Sequence, residues 1–256
     1  MKITKVFLMV VLILSISATG IYADDIKKSG YASMDAMSNY VWRGQKLSNS
    51  WVIQPSVGIN YGAFGVNIWS NYDSDRFEVT SGSESGHGKI TETDITLTYT
   101  HSINKLTLTG GYIYYALEGA NDTQELFISA SYDMLLNPSL TVYYDYDEGN
   151  GAFIVVAVGH TFPVYKDIGL KLGATAGYNI RNKVMGFDDD GKRFTNFYNA
   201  ELSASVTIPV HKNISLTPKI AYSFPLSSDA KEAIRRVSDD GKKNILYGGV
   251  NLTLNF

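Results

Sequence analysis

The feature that most constrains this chain is a two-residue alternation that recurs about a dozen times. It is clearest at the end. Leu246, Gly248, Val250, Leu252, Leu254 and Phe256 take one face, and Tyr247, Gly249, Asn251, Thr253 and Asn255 take the other. Successive side chains of a strand point to opposite faces, so an apolar set beside a small or polar set marks a sheet with two different surroundings. Residues 93–99 and 168–178 read the same way. Strands are expected near 31–43, 50–61, 64–73, 91–102, 105–117, 123–134, 139–147, 151–162, 167–181, 194–209, 213–225 and 244–256.

The connections alternate in length. Residues 62–63, 103–104, 135–138, 163–166 and 210–212 read as tight turns. Between them lie longer polar stretches at 74–90, 118–122, 182–193 and 226–243, and short polar ones at 44–49 and 148–150. A soluble sandwich has no reason to gather every long loop at one end. An outer-membrane barrel does, with short turns toward the periplasm and long loops outside. An even strand count also returns both ends of the chain to the periplasmic side. The expected fold is an all-β, antiparallel up-and-down transmembrane β-barrel of about 12 strands.

Targeting and composition point the same way. Lys2 and Lys5 precede an apolar run at 6–16 that only Ser15 interrupts, followed by Ala18-Thr19-Gly20 and Ala23. This is the pattern of a secretory signal over 1–23, leaving a barrel domain over 24–256; cleavage after Gly20 is the rival. The run is shorter than the roughly 20 residues of a spanning helix. No later stretch is long and apolar enough either, so a membrane-integral form must be a barrel. Charged residues are 18% of the chain, below the roughly 25% usual in soluble domains. The lack of cysteine excludes a disulfide scaffold, a thiolate zinc site, a cysteine nucleophile and a lipoprotein anchor. A net charge of −3 is too near neutral for a general nucleic-acid binder. Tyr40, Trp42, Trp51, Tyr72, Tyr112, Tyr114, Tyr144, Tyr146, Tyr178, Tyr198 and Tyr222 are expected on the outward face, many near strand ends at headgroup level.

The sequence offers little for an enzyme. His87, His101, His160 and His211 are scattered, and H-E-x-x-H and G-x-S-x-G patterns are absent. A lipid-facing hydrolase needs Ser and His together near the outer rim, and the strand histidines fall at the other end. The acidic turns Asp188-Asp189-Asp190-Gly191-Lys192 and Asp239-Asp240-Gly241-Lys242 suggest calcium. The EF-hand spacing fails, because Gly186 holds the first ligand position and Phe197 the twelfth. Hairpin turns with glycine at positive φ are expected instead, with no metal and no cofactor. Residues 230–236 form a short helical run that could fold over the mouth.

Parity sorts the charges of the lumen. Asp73, Asp94, Glu125 and Asp145, with Asp133 and Asp147, come from strands three to seven. Arg43, Lys171, Arg181 and Lys219 come from strands one, nine and eleven. Closing strand one on strand twelve sets basic strands opposite acidic ones, although Asp35 and Glu201 break the pattern. The expectation is a transverse field across a narrow pore, with Arg43 and Arg181 facing the acidic wall in the outer half. Charge pairs that simply bridge and fill the lumen are the plainer reading.

A family resemblance rests on three stretches. Ser38-Asn39-Tyr40-Val41-Trp42-Arg43-Gly44, Gln54-Pro55-Ser56-Val57 and Phe64-Gly65-Val66-Asn67-Ile68-Trp69-Ser70-Asn71 resemble the opening of the TorF family of porins. The specific part covers about 31–73; from there to about 162 the likeness is of pattern only. Gln45-Lys46 stands where that family often has Ser-Gln, and its pattern lacks the long acidic outer loops. The resemblance implies an outer-membrane barrel with a channel-like role and carries over no solute.

The expected function is a porin-like passive channel for small polar or charged solutes in the bacterial outer membrane. Its expected partners are membrane lipids and lipopolysaccharide, a small solute and the barrel-insertion machinery, not nucleic acid. The alternative is a structural or surface-interaction barrel with a filled lumen. Eight strands leave room only for side chains and sixteen enclose an open channel, so twelve lies between.

Overall fold

A computed structural model describes residues 27–74, 88–238 and 240–256. The expected signal segment, most of the 74–90 loop with His87, and Asp239 lie outside the described residues. Twelve strands run β1 (Lys28–Met37), β2 (Val52–Tyr61), β3 (Phe64–Asp73), β4 (Lys89–Ile103), β5 (Leu106–Leu117) and β6 (Thr123–Tyr132). They continue with β7 (Ser139–Asp145), β8 (Gly151–Tyr165), β9 (Ile168–Ile180), β10 (Thr195–His211), β11 (Ile214–Pro225) and β12 (Ile245–Asn255). Each pairs antiparallel with its neighbours in sequence, and β1 pairs with β12 to close the barrel. The seam extends past the strand, since Gly30 and Phe256 exchange both backbone hydrogen bonds at 2.7 and 2.9 Å. Closure leaves no unpaired sheet edge, which a bilayer core does not tolerate.

One end of the barrel is made of tight turns. Tyr61 to Phe64, Ile103 to Leu106, Tyr165 to Ile168 and His211 to Ile214 are joined by two residues each. Gly62, Asn104 and Lys166 carry the positive φ that such hairpins require. The other end carries the long connections. The last of these contains helix α1 (Ser228–Val237), capped by the Ser227 side chain accepting from the Ala230 backbone N–H.

The outward face is apolar. Val57, Ile59, Val66, Ile68, Ile95, Leu126, Ile128, Val156, Leu172, Leu202, Ile220 and Leu252 are all exposed. Two aromatic girdles flank them: Tyr61, Phe64, Tyr99, Tyr132 and Tyr165 at the tight-turn end, and Trp51, Tyr72, Tyr144, Tyr146 and Phe197 at the other. A closed antiparallel barrel with an apolar belt between aromatic girdles is the outer-membrane type of transmembrane barrel. No helix among the described residues is long and apolar enough to cross a membrane.

Three expectations change. The first strand was expected to reach residue 43, but β1 ends at Met37, and residues 39–48 turn into the lumen. Tyr40 and Trp42 therefore face inward rather than toward lipid. Tyr198 is also buried inside, because a bulge in the β9–β10 ladder places one extra residue between the pairs Tyr178–Phe197 and Ala176–Ala200. One inserted residue reverses facing under a strict two-residue period.

Candidate functional site

The site is the lumen, and its main occupant is the inward-folded segment 39–48. Val41 pairs with Lys46 and Trp42 with Gln45, forming a small hairpin. Its two tip residues, Arg43 and Gly44, have φ of 49° and 81°. Positive φ at both central positions is the hairpin turn that follows the twist of its strands. Gly44 is also required sterically, since a β-carbon there would lie 2.8 Å from the Asn199 side chain.

The tip is fixed on several walls at once. The Arg43 guanidinium donates from both terminal nitrogens to the Glu125 carboxylate on β6, each at 2.7 Å. It also lies over the rings of Trp42, Tyr143 and Phe153 at 4.4, 4.3 and 4.9 Å, where ring faces attract a cation. Glu125 accepts a further bond from Tyr115 Oη at 2.8 Å. Gln45 Nε2 donates to Tyr198 Oη at 3.0 Å and to the Val184 carbonyl at 2.9 Å. Lys46 Nζ reaches Asp240 at 2.7 Å in the last long loop. The hairpin thus spans from β1 to β6 and β10.

Beside it, the long-loop end is filled. Phe153, Met185, Phe194, Tyr198, Ala230, Ala233 and Ile234 form one buried apolar cluster, with Trp42 and Tyr143 against it. Helix α1 supplies three of these residues, so the helical run covers part of the mouth. A second cluster of Met37, Tyr40 and Val52 packs with Trp42, Leu47, Trp69 and Tyr247.

Space remains beside and below the hairpin. A cavity of about 540 Å³ extends toward the tight-turn end, with Tyr31, Arg43, Ser56, Asn67, Asp94, Thr96 and Tyr143 among its lining. A second of about 260 Å³ lies against β1, β3 and β12, lined in part by Tyr40, Trp42, Gln54, Trp69, Asp94 and Tyr247. Trp42, Trp69 and Asp94 line both.

The residues expected to line the pore fall in different places. Asp94 and Arg43 border the cavities, and Glu125 is buried behind Arg43. Asp73 is buried at the outer end of β3. Asp145 is buried too, accepting from Thr123 Oγ1 at 2.8 Å and from the Asp147 backbone at 3.0 Å. Lys219 pairs with Asp35 at 2.5 Å. Lys171 is exposed between Thr161 and Ser205. Arg181 is exposed at the outer end of β9, with φ of 51°. The structure therefore joins Arg43 to Glu125 and leaves Arg181 apart from them. Gln45, Trp69 and Tyr115 complete the site without having been expected to line it, and Tyr198 joins them although it was expected on the outward face.

Two loop carboxylates are held in their charged forms. Burial pushes the Asp240 carboxyl up, but hydrogen bonds from Lys46 and Lys242 outweigh it and hold the group well below the usual range. Hydrogen bonds from Arg235 and then Arg236 hold Glu232 of α1 at about 2. Among the described residues no group of three or more His, Cys, Asp or Glu is placed to hold a metal.

No family model matches the chain, and no curated protein matches it. Among solved structures it is similar to the KdgM porin in complex with disordered oligogalacturonate, at 9% identity and TM-score 0.49, covering 89% of this chain and 99% of that one. It is also similar to the NanC porin, at 9% and 0.46, covering 90% and 99%. An outer membrane channel from Pseudomonas putida F1 matches at 10% and 0.46, covering 93% and 100%. Likeness at this level assigns neither a family nor a solute.

Proposed function

We propose that the protein is a porin-like passive channel of the bacterial outer membrane for small polar or charged solutes, narrowed by its own inward hairpin. The observation that carries this reading is the lumen beside the hairpin. Two spaces of about 260 and 540 Å³ remain there, both bordered by Asp94 and by aromatic side chains. The resemblance of 38–44, 54–57 and 64–71 to the TorF porins supports the same role. The apolar cluster under α1 favours a second reading, a filled barrel without transport. Purified full-length protein in planar bilayers separates the two. Discrete single-channel steps, enlarged when 41–46 is replaced by a short Gly-Ser turn, are expected of a channel. Absence of steps in both proteins overturns it and leaves the filled barrel.

A further inference from the structure

Asp94 differs from the other acids of the lumen. Glu125 is taken by Arg43 and Tyr115, Asp35 by Lys219, and Glu201 accepts from Tyr247 Oη at 2.8 Å. Neither Asp94 nor Glu92, the next inward residue on β4, is in an ion pair among the described residues. Glu92 bridges the Asp94 carboxyl and the Tyr40 hydroxyl, so two carboxyl groups stand side by side there, and Asp94 Oδ1 is still buried without a hydrogen-bond partner. A buried polar atom left in this state is rare and calls for a partner that a ligand can supply.

The surroundings say what kind of ligand. Across the sheet Asp94 stands opposite Trp69 on β3 and Tyr115 on β5. Tyr40 and Trp69 meet at 5.5 Å with their planes tilted by 49°, forming a corner rather than a stack. Trp42 closes the space from the hairpin. Ring faces attract cations, and most strongly those weakly hydrated enough to shed water, such as alkylammonium groups. The neighbouring carboxylates repel anions. Tyr40 borders only the smaller space, whose volume of about 260 Å³ lies below the roughly 300–1,000 Å³ of drug-sized sites and suits a small amine.

We propose that Asp94, Trp69, Tyr40 and Trp42 form a binding site for small organic ammonium ions beside the hairpin. That the site lies on a transport route rests on the channel reading above; the binding itself does not. The probe is tetramethylammonium, titrated calorimetrically into full-length protein in detergent and added to potassium currents in planar bilayers. Binding is expected, with partial block of the current. Asp94→Asn should weaken both by about tenfold or more, and Trp69→Leu should weaken tetramethylammonium binding while sparing potassium conduction. Heat-modifiable gel migration checks that each variant is folded; if Asp94→Asn is not, Trp69→Leu decides. Absence of binding, unchanged binding in the folded variants, or displacement by equal sodium overturns the site. Current without binding refutes the site and keeps the channel. Binding without current keeps the site and refutes the channel.

Discussion

The Arg43–Glu125 pair is the strongest single tie on the hairpin, and Glu125→Gln tests it. The side chains are 9% and 1% exposed, so the variant leaves a guanidinium in a nearly dry setting without its carboxylate. Removing one partner of a buried pair costs about 3–5 kcal/mol, much of it the penalty on the orphaned charge. Applied to the balance between seated and released hairpin, this is a factor of roughly 10² or more. The barrel ladders do not pass through 41–46, so the cost falls on the hairpin. Limited proteolysis of folded protein reads its release, and single-channel recording reads a larger or flickering conductance. Heat-modifiable migration should stay as in the parent. Arg43→Met combined with Glu125→Gln should cost less than the sum of the two, because neither charge is then left alone. Unchanged cleavage and conductance in Glu125→Gln, or strict additivity in the double variant, would refute the reasoning.

Four further outcomes are expected. Asp240 has a folded pKa below its unfolded value, so the Lys46–Asp240 tie is fully present above about pH 4 and is lost as pH falls further; hairpin proteolysis should be flat from pH 5 to 8, and Asp240→Asn should remove the acid-dependent change. Gly44→Ala meets both an unfavourable φ and the Asn199 side chain, a strain of roughly 1–2 kcal/mol, so hairpin cleavage should quicken about tenfold; equal rates count against this tip geometry. Single cysteines at Leu172 and Leu252 should react with lipid-soluble maleimide, and those at Thr96 and Thr253 with the water-soluble reagent; equal labelling contradicts the facing of the strands. Under a potassium chloride gradient the reversal potential should have the sign of cation preference, and Asp94→Asn should move it toward zero.

The barrel was legible because its signal is repeated. Each strand states the same two-residue period; the turn expected at 62–63 is where it was placed, while those expected at 163–166 and 210–212 lie slightly later, at 166–167 and 212–213, because the strands run on to Tyr165 and His211. Errors enter where a short-range rule meets a long-range contact. Residues 38–43 continue a strand-like composition, and nothing local says that Tyr40 and Trp42 will pack on Trp69 and Tyr115 from across the lumen. Tyr198 turns inward through one bulged residue whose only local trace is a tract of Phe, Tyr and Asn. Parity also counts an acid as pore-lining whenever it faces in. Asp145 faces in, yet Thr123 and its own turn use it. Which inward charges border open space depends on what else fills the barrel, and that is a property of the hairpin and α1 rather than of the strands.

The same filling changes the electrostatics of the lumen. A transverse field requires basic and acidic walls that stay apart. Here Arg43 is carried across by the hairpin to a 2.7 Å contact with Glu125, and Lys219 reaches Asp35 on the neighbouring side of the barrel. Opposite charges in contact cancel at the distance of a passing solute, and each pair becomes a local brace. Asp94, the carboxylate in the lining of both spaces, then sets the sign of the potential along them. Low-dielectric walls raise the effect of such a surplus on the local concentration of counter-ions. On this account Arg43 acts less as a selectivity charge than as the pin that narrows the passage and directs it past Asp94.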